Sequence, residues 1–568
     1  MNDSKVVTEA KLADAEAGNV KPTTSSALTN LKSARFTTLF VALCLLSALI
    51  VYGNLTASHD WGGDFATYIM QARSLVEGNP SDFMQSNKVA MEQSSHRVGP
   101  VLYPWGLPLL LAPVYAGFGP NVVAMKVIGA LSFVLLPIAL WLGFRRTHSP
   151  TWRLCLVALF ALNPSFLSIT NDIMSDMPFT ILATLSLLLI DTMVVRRRTL
   201  IGSHVDPVLL GLTIAAAVLV RTNGILLIVA LTWAQLVSCV LRQAGSRPAS
   251  SAPRSVRAVL QSLLPGKELR IRHVLPHLLP YITFAAVFAI PLVLLPKGGA
   301  SYVAAFRGSV SLEMIKQHLG RLVDLPAEFF HGMPREWLFY GITVPLAISG
   351  MIRRLRDESH VMFFMFSTVA LFAVVPVNMH YRYLLPLLPF YVSYVITGLE
   401  AFQISTPVPV MEKVVRKYAC ILPVLLVILS FGWYSVNRAH RNIRNGRVTE
   451  FGPFTPSSQE MFRFITTHTE ANSRIIFFKP TVMTLMTDRQ SFMIYKSEQL
   501  SRGNYLCIYM RKDAYSQLTP ARAEELVRRA EAALIYENPD FRVYSLDSSR
   551  VSKTATNGPR IECDQPMP

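Results

Sequence analysis

Long apolar segments alternate with short polar connections along this chain as far as residue 436. The first segment, residues 36–53, contains no charged side chain and is nearly as long as the roughly 20 residues that a membrane-spanning helix needs. The pattern predicts an all-α polytopic membrane protein with about eleven transmembrane helices. The predicted spans are 36–53, 121–144, 152–168, 178–195, 207–220, 224–241, 275–295, 337–352, 361–378, 383–400 and 418–436.

The stretch 104–119 is also apolar, but we predict that it does not cross the membrane. It contains three prolines, which interrupt a helix because proline lacks the amide hydrogen. Counting it as a span would move Arg145 and Arg146 to the outside and invert every later basic cluster. A broken or re-entrant segment packed against protein satisfies both observations.

Composition and charge agree with a membrane protein. Hydrophobic residues make up 51% of the 568 residues and charged residues 16%, whereas soluble domains carry about a quarter of charged residues. The net charge of +18 is concentrated in short basic clusters between apolar segments, which is typical of cytosolic loops rather than of a nucleic-acid-binding surface. The clusters place the N-terminus in the cytosol. Residues 1–35 are predicted to be a disordered cytosolic tail rather than a cleavable signal peptide.

The character of the chain changes after the last predicted span. Residues 437–568 are polar and mixed, and the topology places them on the external face. Segments 475–478 and 505–509 have the composition of short buried strands, and residues 519–534 are predicted to form a helix with proline near its start. We therefore expect a small external α/β domain.

Four of the six cysteines fall in predicted spans, where a thiol is an ordinary small apolar group. These are Cys44, Cys155, Cys239 and Cys420. Cys507 and Cys563 are external, and in an oxidising compartment they could form a disulfide. The sequence contains no CxxC or HExxH spacing of metal ligands.

Two carboxylates follow the first predicted span in residues 59–65, HDWGGDF. From Phe65 onward the apolar residues recur at helical spacing, so we expect an amphipathic helix lying along the membrane interface. Asp64 stands at its N-terminus, where a carboxylate either caps free backbone amides or is available as a general base. Asp60 is either a second functional acid or a solvated loop residue.

A second acid pair, Asp172 and Asp176, follows the third predicted span. Pro178 fits the first turn of the next helix, so Asp176 has the same capping alternative. Both pairs lie at one external mouth of the predicted bundle, and charge near a bilayer is costly without a partner or a function. Asp64 and Asp176 are therefore the catalytic candidates, and Asp60 and Asp172 are secondary or acceptor-contacting acids.

Three arginines on the predicted external side are candidates for a phosphate site. Arg221 lies at the end of a predicted span, Arg382 in the short turn after the span 361–378, and Arg97 just before the proline-rich segment 104–119. A guanidinium binds phosphate through paired N–H donors. The alternative for each is contact between a snorkelling side chain and lipid head groups.

Three other features remain open at the level of sequence. His59, Asp60 and Asp64 could ligate a divalent cation, although three ligands so close in sequence would need an unusual turn. The external loop 296–336 is long enough to close over a substrate. The four arginines at three-residue steps between 438 and 447 either form a solvated helix face or bind anionic lipid.

Six short motifs follow one another between the first and last predicted spans. They are Gly62-Gly63-Asp64-Phe65 with Tyr68, Tyr103-Pro104-Trp105-Gly106-Leu107-Pro108, Asn163-Pro164, Ser175-Asp176-Met177-Pro178-Phe179, Val220-Arg221-Thr222-Asn223-Gly224 and Tyr381-Arg382-Tyr383. Their order, joined to the predicted topology, resembles the GT-C glycosyltransferases of the protein mannosyltransferase and aminoarabinose transferase type. The resemblance covers residues 36–436, and an external C-terminal domain is common in bacterial members.

The resemblance implies a GT-C-like transmembrane domain over residues 36–436, with the external loop 54–103. The short cytosolic loops and the lack of eukaryotic signals in the sequence indicate a bacterial inner membrane. The resemblance also implies inverting transfer of a sugar from a polyprenyl-phosphate donor to an acceptor hydroxyl of a glycan, lipid or protein on the external side. In this family an acid of the first external loop is the base, and that position corresponds to Asp64. This chain has Gly-Gly-Asp-Phe where eukaryotic mannosyltransferases have an Asp-Glu pair, so the resemblance gives Asp60 no role.

Two other function classes are compatible with a polytopic protein. A transporter or lipid flippase typically has ionisable residues near the bilayer midplane and often inverted repeats, whereas here the acids gather at the external ends of the spans. A non-catalytic scaffold would explain the C-terminal domain but not the acid pairs. Neither a Walker motif nor GxGxxG in strand–helix context is present, so no nucleotide cofactor is indicated.

Overall fold

The computed structural model describes residues 24–95, 99–245, 271–297, 310–375, 379–404, 410–448, 451–494, 497–511, 525, 527 and 532–546. Arg97, Cys563 and most of the predicted helix 519–534 lie outside this part of the chain. Residues 525 and 527 of that helix are helical, but its last two predicted positions begin a strand instead.

The chain is helical as far as residue 444 in its described part. The helices, numbered in chain order, are α1 Thr24–Asn54, α2 Gly63–Val76, α3 Pro80–Gln93, α4 Gly106–Phe118, α5 Val122–Gly143, α6 Pro150–Ala161, α7 Pro164–Ile169, α8 Asp176–Ile190, α9 Val205–Val220, α10 Leu226–Gly245, α11 Ile271–Leu294, α12 Leu312–Asp324, α13 Glu336–Arg354, α14 Ser359–Val374, α15 Leu388–Ile404 and α16 Val410–Arg444. Short 3₁₀ turns at Thr222–Ile225, Leu325–Phe330 and Tyr381–Leu384 connect neighbouring helices.

Six helical segments of the described residues are long and apolar enough to cross a membrane, and each coincides with a predicted span. They are Ala34–Asn54, Val122–Arg146, Asp176–Val195, Thr222–Leu241, Leu275–Leu294 and Tyr418–Arg444. Further apolar helices are shorter, among them α4, whose 13 residues are too few to span the bilayer. The chain is thus an integral membrane protein, while the count of about eleven spans stays a prediction.

Two predicted boundaries fall inside helices. α1 begins at Thr24, so the prediction of a disordered tail over residues 1–35 is wrong for its last part. α16 runs to Arg444, past the predicted start of the C-terminal domain at 437. Apolar windows locate the lipid-facing centre of a span, but a helix continues beyond the lipid for as long as its backbone hydrogen bonds are made.

The predicted span 152–168 is two helices rather than one. Pro164 has no amide hydrogen to continue the hydrogen-bond ladder of α6. The Asn163 side chain instead caps α7, because its Oδ1 accepts from the amides of Ser165 and Phe166 at 2.9 and 3.0 Å. The Asn-Pro motif therefore places a bend in the bundle between α6 and α7.

The helix predicted after Asp64 is present as α2, but it does not lie along the membrane interface. Nine of its 14 residues are buried, including the polar Thr67 and Gln71. An interfacial helix would leave one face to lipid. α2 is enclosed by protein instead, with α4 and part of the C-terminal domain packed against it.

The C-terminal domain combines helices with a mixed sheet, as predicted. Its helices are α17 Pro456–His468 and α18 Pro480–Thr487, and its strands are β1 Arg474–Ile476, β2 Gln490–Phe492, β3 Tyr505–Tyr509, β4 Ala533–Glu537 and β5 Phe541–Ser545. The sheet order is β2-β1-β3-β5-β4. β1 is parallel to β2 and β3, and β5 is antiparallel to β3 and β4. The two predicted strands overlap β1 and β3 and are confirmed.

Two apolar cores position the candidate site. The larger fills the helix bundle around Phe133 and Phe160. The second joins Phe65 of α2 to Phe477 and Val482 of the C-terminal domain. The segment that carries the first acid pair therefore shares its core with the C-terminal domain.

Candidate active site

Asp64 does not cap the helix at whose start it stands. The N-cap of α2 is Gly62, which leaves Asp64 as the second helical residue. Its Oδ1 accepts a hydrogen bond from the Tyr103 hydroxyl at 2.6 Å, and its Oδ2 pairs with Arg382 Nη2 at 3.1 Å. The side chain is 29% exposed. The carboxylate is thus fixed by two donors and still open to a substrate.

Arg382 lies in the 3₁₀ turn Tyr381–Leu384 and contacts the carboxylate oxygen of Asp64 that Tyr103 does not. Burial lowers the pKa of its guanidinium, but the nearby charges of Asp176 and Asp64 more than offset this, and the pKa ends above its usual range. Its Nε has no hydrogen-bond partner among the described residues, and Nη1 faces the sulfur of Met174 at 3.7 Å. Asp64 therefore occupies only part of the donor capacity of Arg382.

Asp176 and Arg221 form a second ion pair beside the first. Ser175 is the N-cap of α8, so Asp176 is not a cap either, and its side chain is fully buried. Its Oδ2 has no hydrogen-bond partner in the described part of the chain. Arg221 follows α9 in an extended conformation, and its guanidinium lies 5.2 Å from the centre of the Tyr383 ring.

The two pairs form one alternating set of charges. Arg382 pairs with Asp64 and Arg221 with Asp176, and the negative charge of Asp176 also acts on Arg382. Opposite charges that alternate in this way stabilise one another where water is scarce. The sequence separates these four residues widely, but the fold brings them together at one end of the bundle.

Two tyrosines and a glutamine complete the surroundings of Asp64. The Gln71 side chain bonds the backbone of Tyr103 in both directions, at 3.1 and 2.9 Å. The Tyr68 ring lies 4.5 Å from the Tyr103 ring, and its hydroxyl donates to Ser175 at 3.1 Å. Burial raises the pKa of Tyr68, so its hydroxyl stays protonated. The sequence motifs contained Tyr68 and Tyr103 but gave neither a role.

Asp60 holds the turn before α2 rather than facing Asp64. Its Oδ1 accepts from the Gly62 amide at 3.0 Å and lies 2.9 Å from Nδ1 of His59. The Ile173 amide donates to Nε2 of the same imidazole at 3.2 Å, so we assign the His59 proton to Nδ1. Burial raises the pKa of Asp60, but the His59 hydrogen bond leads a larger set of opposing effects, and the net shift is downward.

Asp172 lies on the other side of His59, at 4.0 Å from Nε2. Burial raises the pKa of Asp172 to about 6. His59, Asp60 and Asp172 bring potential ligand atoms within 4.8 Å of one another. Of the three residues that the sequence left open as cation ligands, His59 and Asp60 belong to this group and Asp64 does not.

A buried lysine supplies positive charge to the same cluster. Lys126 of α5 is 0% exposed. Its ammonium donates to the carbonyl oxygen of Thr56 at 2.9 Å, to Oδ1 of Asn171 at 3.0 Å and to the carbonyl oxygen of Ser58. Both ring nitrogens of His59 have hydrogen-bond partners among the described residues, Asp60 at Nδ1 and the Ile173 amide at Nε2. Lys126 lay inside a predicted span and no sequence signal marked it.

The sequence and the structure were each compared with those of known proteins. No protein-family model matches the chain, and no curated protein matches its sequence. Solved structures do match. ArnT from Cupriavidus metallidurans in the apo state shares 12% identity and a TM-score of 0.54, over 91% of this chain and 99% of that one. The same protein bound to undecaprenyl phosphate shares 12% identity and a TM-score of 0.50, over 90% and 98%.

A third match is the archaeal oligosaccharyltransferase AglB from Archaeoglobus fulgidus, with 11% identity over 84% of this chain and 70% of that one and a TM-score of 0.48. ArnT and AglB are both GT-C glycosyltransferases. At these identities a structural match shows a shared fold and nothing finer. This chain has the GT-C fold, as its motifs implied.

Proposed function

We propose that this protein is a membrane glycosyltransferase that transfers a sugar from a polyprenyl-phosphate donor to an acceptor hydroxyl on the external face, with inversion. One observation carries the proposal. The Asp64 carboxylate does not cap α2, and hydrogen bonds from Tyr103 and Arg382 hold it in a partly exposed position. The donor class is supported by the match to ArnT, a structure of which contains undecaprenyl phosphate.

Asp64 is the proposed general base. An ionised carboxylate has about four lone-pair sites, and Tyr103 and Arg382 each occupy one. The remaining capacity can accept the proton of an acceptor hydroxyl as its oxygen attacks the anomeric carbon. Such a base contributes typically about 10²–10⁴-fold to the rate. Because the oxygen enters opposite the departing phosphate, the configuration at that carbon inverts.

Arg382 and Arg221 are the proposed ligands of the donor phosphate. The bond from the anomeric carbon to the phosphate oxygen breaks, and the electron pair leaves with the phosphate, so positive charge there stabilises the transition state. Arg382 lies next to the proposed base and has spare donor capacity. Its position lets one cation orient the carboxylate and neutralise the leaving group. Arg97 stays a candidate on the sequence alone.

The other acids have supporting roles in this proposal. Asp176 is fully buried and paired with Arg221, so it orients the phosphate-binding cation. Asp60 and Asp172 flank His59 and hold the first external loop. The reaction needs these carboxylates to fix geometry, since an angstrom of misplacement can cost about 10²-fold in rate.

The proposed donor indicates where the reaction takes place. A polyprenyl phosphate is anchored in lipid, so its sugar is presented at the membrane surface where the four charged residues lie. We propose the inner membrane of a bacterium, with the N-terminus cytosolic and the C-terminal domain external. The acceptor is a glycan, lipid or protein that carries a free hydroxyl.

Mass spectrometry of lipid-linked sugars and surface glycans tests the proposal in cells carrying wild-type protein, a deletion, Asp64→Asn or Asp82→Asn. Asparagine keeps the shape of Asp64 but cannot accept the proton, whereas Asp82 is an exposed acid of α3 and serves as the matched control. We expect the deletion and Asp64→Asn to lose the same glycan and Asp82→Asn to keep it.

Other outcomes contradict parts of the proposal. An Asp64→Asn variant that keeps the glycan lost in the deletion strain would assign the base to another residue. Unchanged glycans in the deletion strain itself would favour transport over transfer. Each variant is first checked for its amount in the membrane fraction.

A further inference from the structure

Trp61 lies between Asp60 and Asp64 in the first external loop, but its side chain packs inside the C-terminal domain. It is 7% exposed. Five aromatic rings of that domain surround the indole, with centroids 5.1 to 6.4 Å away: Phe462, Phe477, Phe478, Tyr509 and Phe541. Aromatic pairs at such distances contribute beyond the apolar area that they bury.

The C-terminal part of the chain contacts every second residue of the same loop. The Ala57 amide donates to the carbonyl oxygen of Arg447 at 2.9 Å. Gly452 has a φ of +122° and lies so close to the carbonyl group of His59 that a Cβ there would collide with it. Thr481 Oγ1 donates to the carbonyl oxygen of Gly63 at 3.2 Å.

The transmembrane bundle holds the same loop from the other side. Lys126 bonds the carbonyl oxygens of Thr56 and Ser58. Backbone contacts from the bundle and from the C-terminal part of the chain therefore alternate over residues 56–59, and the C-terminal domain also contacts Trp61 and Gly63. The backbone of this loop has polar groups that need partners when buried, and the two sides supply them in turn.

The C-terminal domain also contacts α2, the helix that carries Asp64. Arg73 near the end of α2 donates to Asp488 after α18 at 2.7 Å. α18 itself packs along α2, and Lys479 precedes it. Burial lowers the pKa of Lys479, and the negative charges of Asp60 and Asp64 oppose that shift.

We propose that the C-terminal domain is a positioning half of the active site, which clamps residues 57–63 through Trp61 and thereby holds Asp64 in reach of Arg382 and Tyr103. The inference rests on the proposed function for its effect on rate, but the clamp itself is a statement about the loop. It gives the domain a role in geometry rather than in binding the acceptor.

The test compares Trp61→Ala and Trp61→Phe with Trp433→Ala, a control that removes an exposed tryptophan of α16. Trp61 Nε1 has no hydrogen-bond partner among the described residues, so phenylalanine should fill the same aromatic cage. With purified full-length protein we expect Trp61→Ala to lower kcat on the order of tenfold to a hundredfold. Its KM for donor and acceptor should stay within about twofold, and Trp61→Phe should restore kcat.

Hydrogen exchange supplies a readout that does not depend on activity. In Trp61→Ala, peptides covering residues 55–76 should exchange faster, while peptides of α5 should be unchanged. Thr481→Val removes only the bond to Gly63 and should show the same pattern in weaker form. It serves as a second variant should Trp61→Ala fail to fold.

Three results would overturn the inference: wild-type kcat and exchange in Trp61→Ala, an increase confined to the KM of the acceptor, or faster exchange throughout the protein. The second would make the domain an acceptor-binding module, and the third would make Trp61 a general stability residue. If wild-type protein transfers no sugar at all, the proposed function fails, and the exchange pattern still decides whether the clamp exists.

Discussion

Arg382 Nη2 lies 3.1 Å from Asp64 Oδ2, although the two residues are 318 positions apart in the chain. The pair joins the start of α2 to the turn before α15. Both side chains remain 29% exposed, and a buried structural pair would not be. We therefore regard it as the centre of the candidate site.

Arg382→Lys should lower transfer activity strongly although it keeps the charge. An ammonium on a flexible stem cannot reproduce the planar fork that holds a carboxylate and a phosphate together. We expect a fall on the order of tenfold or more in kcat/KM, measured with a polyprenyl-phosphate sugar. Arg353→Lys, at an exposed arginine near the end of α13, is the matched control. Equal activity of Arg382→Lys and wild type would remove Arg382 from the proposed phosphate site.

Breaking the Asp176–Arg221 pair should destabilise the protein. Asp176 is fully buried and Arg221 is 17% exposed, so either partner alone would leave an uncompensated charge. Asp176→Asn and Arg221→Met should each lower the free energy of unfolding by about 3–5 kcal/mol. The double variant should lose less than the sum of the two, because it leaves no unpaired charge. Thermal unfolding in detergent measures all three, and strictly additive losses would show that the two side chains do not interact.

Stability should depend on pH through Asp172. Its pKa rises from 3.8 to about 6 on folding, mainly through burial. The folded protein thus holds this proton more tightly than the unfolded chain, and the resulting stabilisation is present below about pH 4 and lost as pH rises through about 6. Asp172→Asn should therefore be more stable than wild type at pH 7. The gain should be modest because 39% of the side chain is exposed.

Thermal unfolding of wild type and Asp172→Asn between pH 4 and 8 checks this prediction. The Asp172 carboxyl group is also affected by the charges of His59, Asp60 and Lys126. The stability of the variant is therefore compared with that of wild type at the same pH, for each pH in the series. Asp82→Asn, the exposed acid of α3, should leave the profile unchanged. A variant that is less stable than wild type at pH 7 would show that the ionised form of Asp172 has a stabilising partner.

Topology can be tested by labelling single cysteines in a variant without the six native ones. Asp82→Cys lies on the predicted external side and Arg198→Cys in a predicted cytosolic loop, and both native residues are exposed. A membrane-impermeant maleimide should label position 82 in intact spheroplasts and position 198 only after permeabilisation. The reverse result would invert the orientation that the basic clusters predict.

The sequence predicted most of the helix bundle, because a span must keep its apolar residues together to satisfy the bilayer. The prediction from hydropathy was wrong where a helix ends inside an apolar run, as it does within the predicted span 152–168. The prolines and Asn163 decide where α6 ends and α7 begins, and hydropathy does not register them. It also placed α2 at the lipid interface, since an apolar stripe has the same periodicity whether lipid or protein covers it.

The sequence by itself determined that this is a membrane protein with acids at one end of its bundle, and its motifs pointed to the GT-C fold. Periodicity and charge are local properties, so one chain is enough to read them. Only the tertiary structure decided that Asp64 and Asp176 pair with arginines rather than cap helices. It also decided that Lys126 of the bundle bonds the backbone of residues 56–58, and that Trp61 of the same loop packs against the C-terminal domain. The two ion pairs join residues that are 45 positions apart for Asp176 and Arg221 and 318 apart for Asp64 and Arg382, and their geometry exists only once the cores have packed.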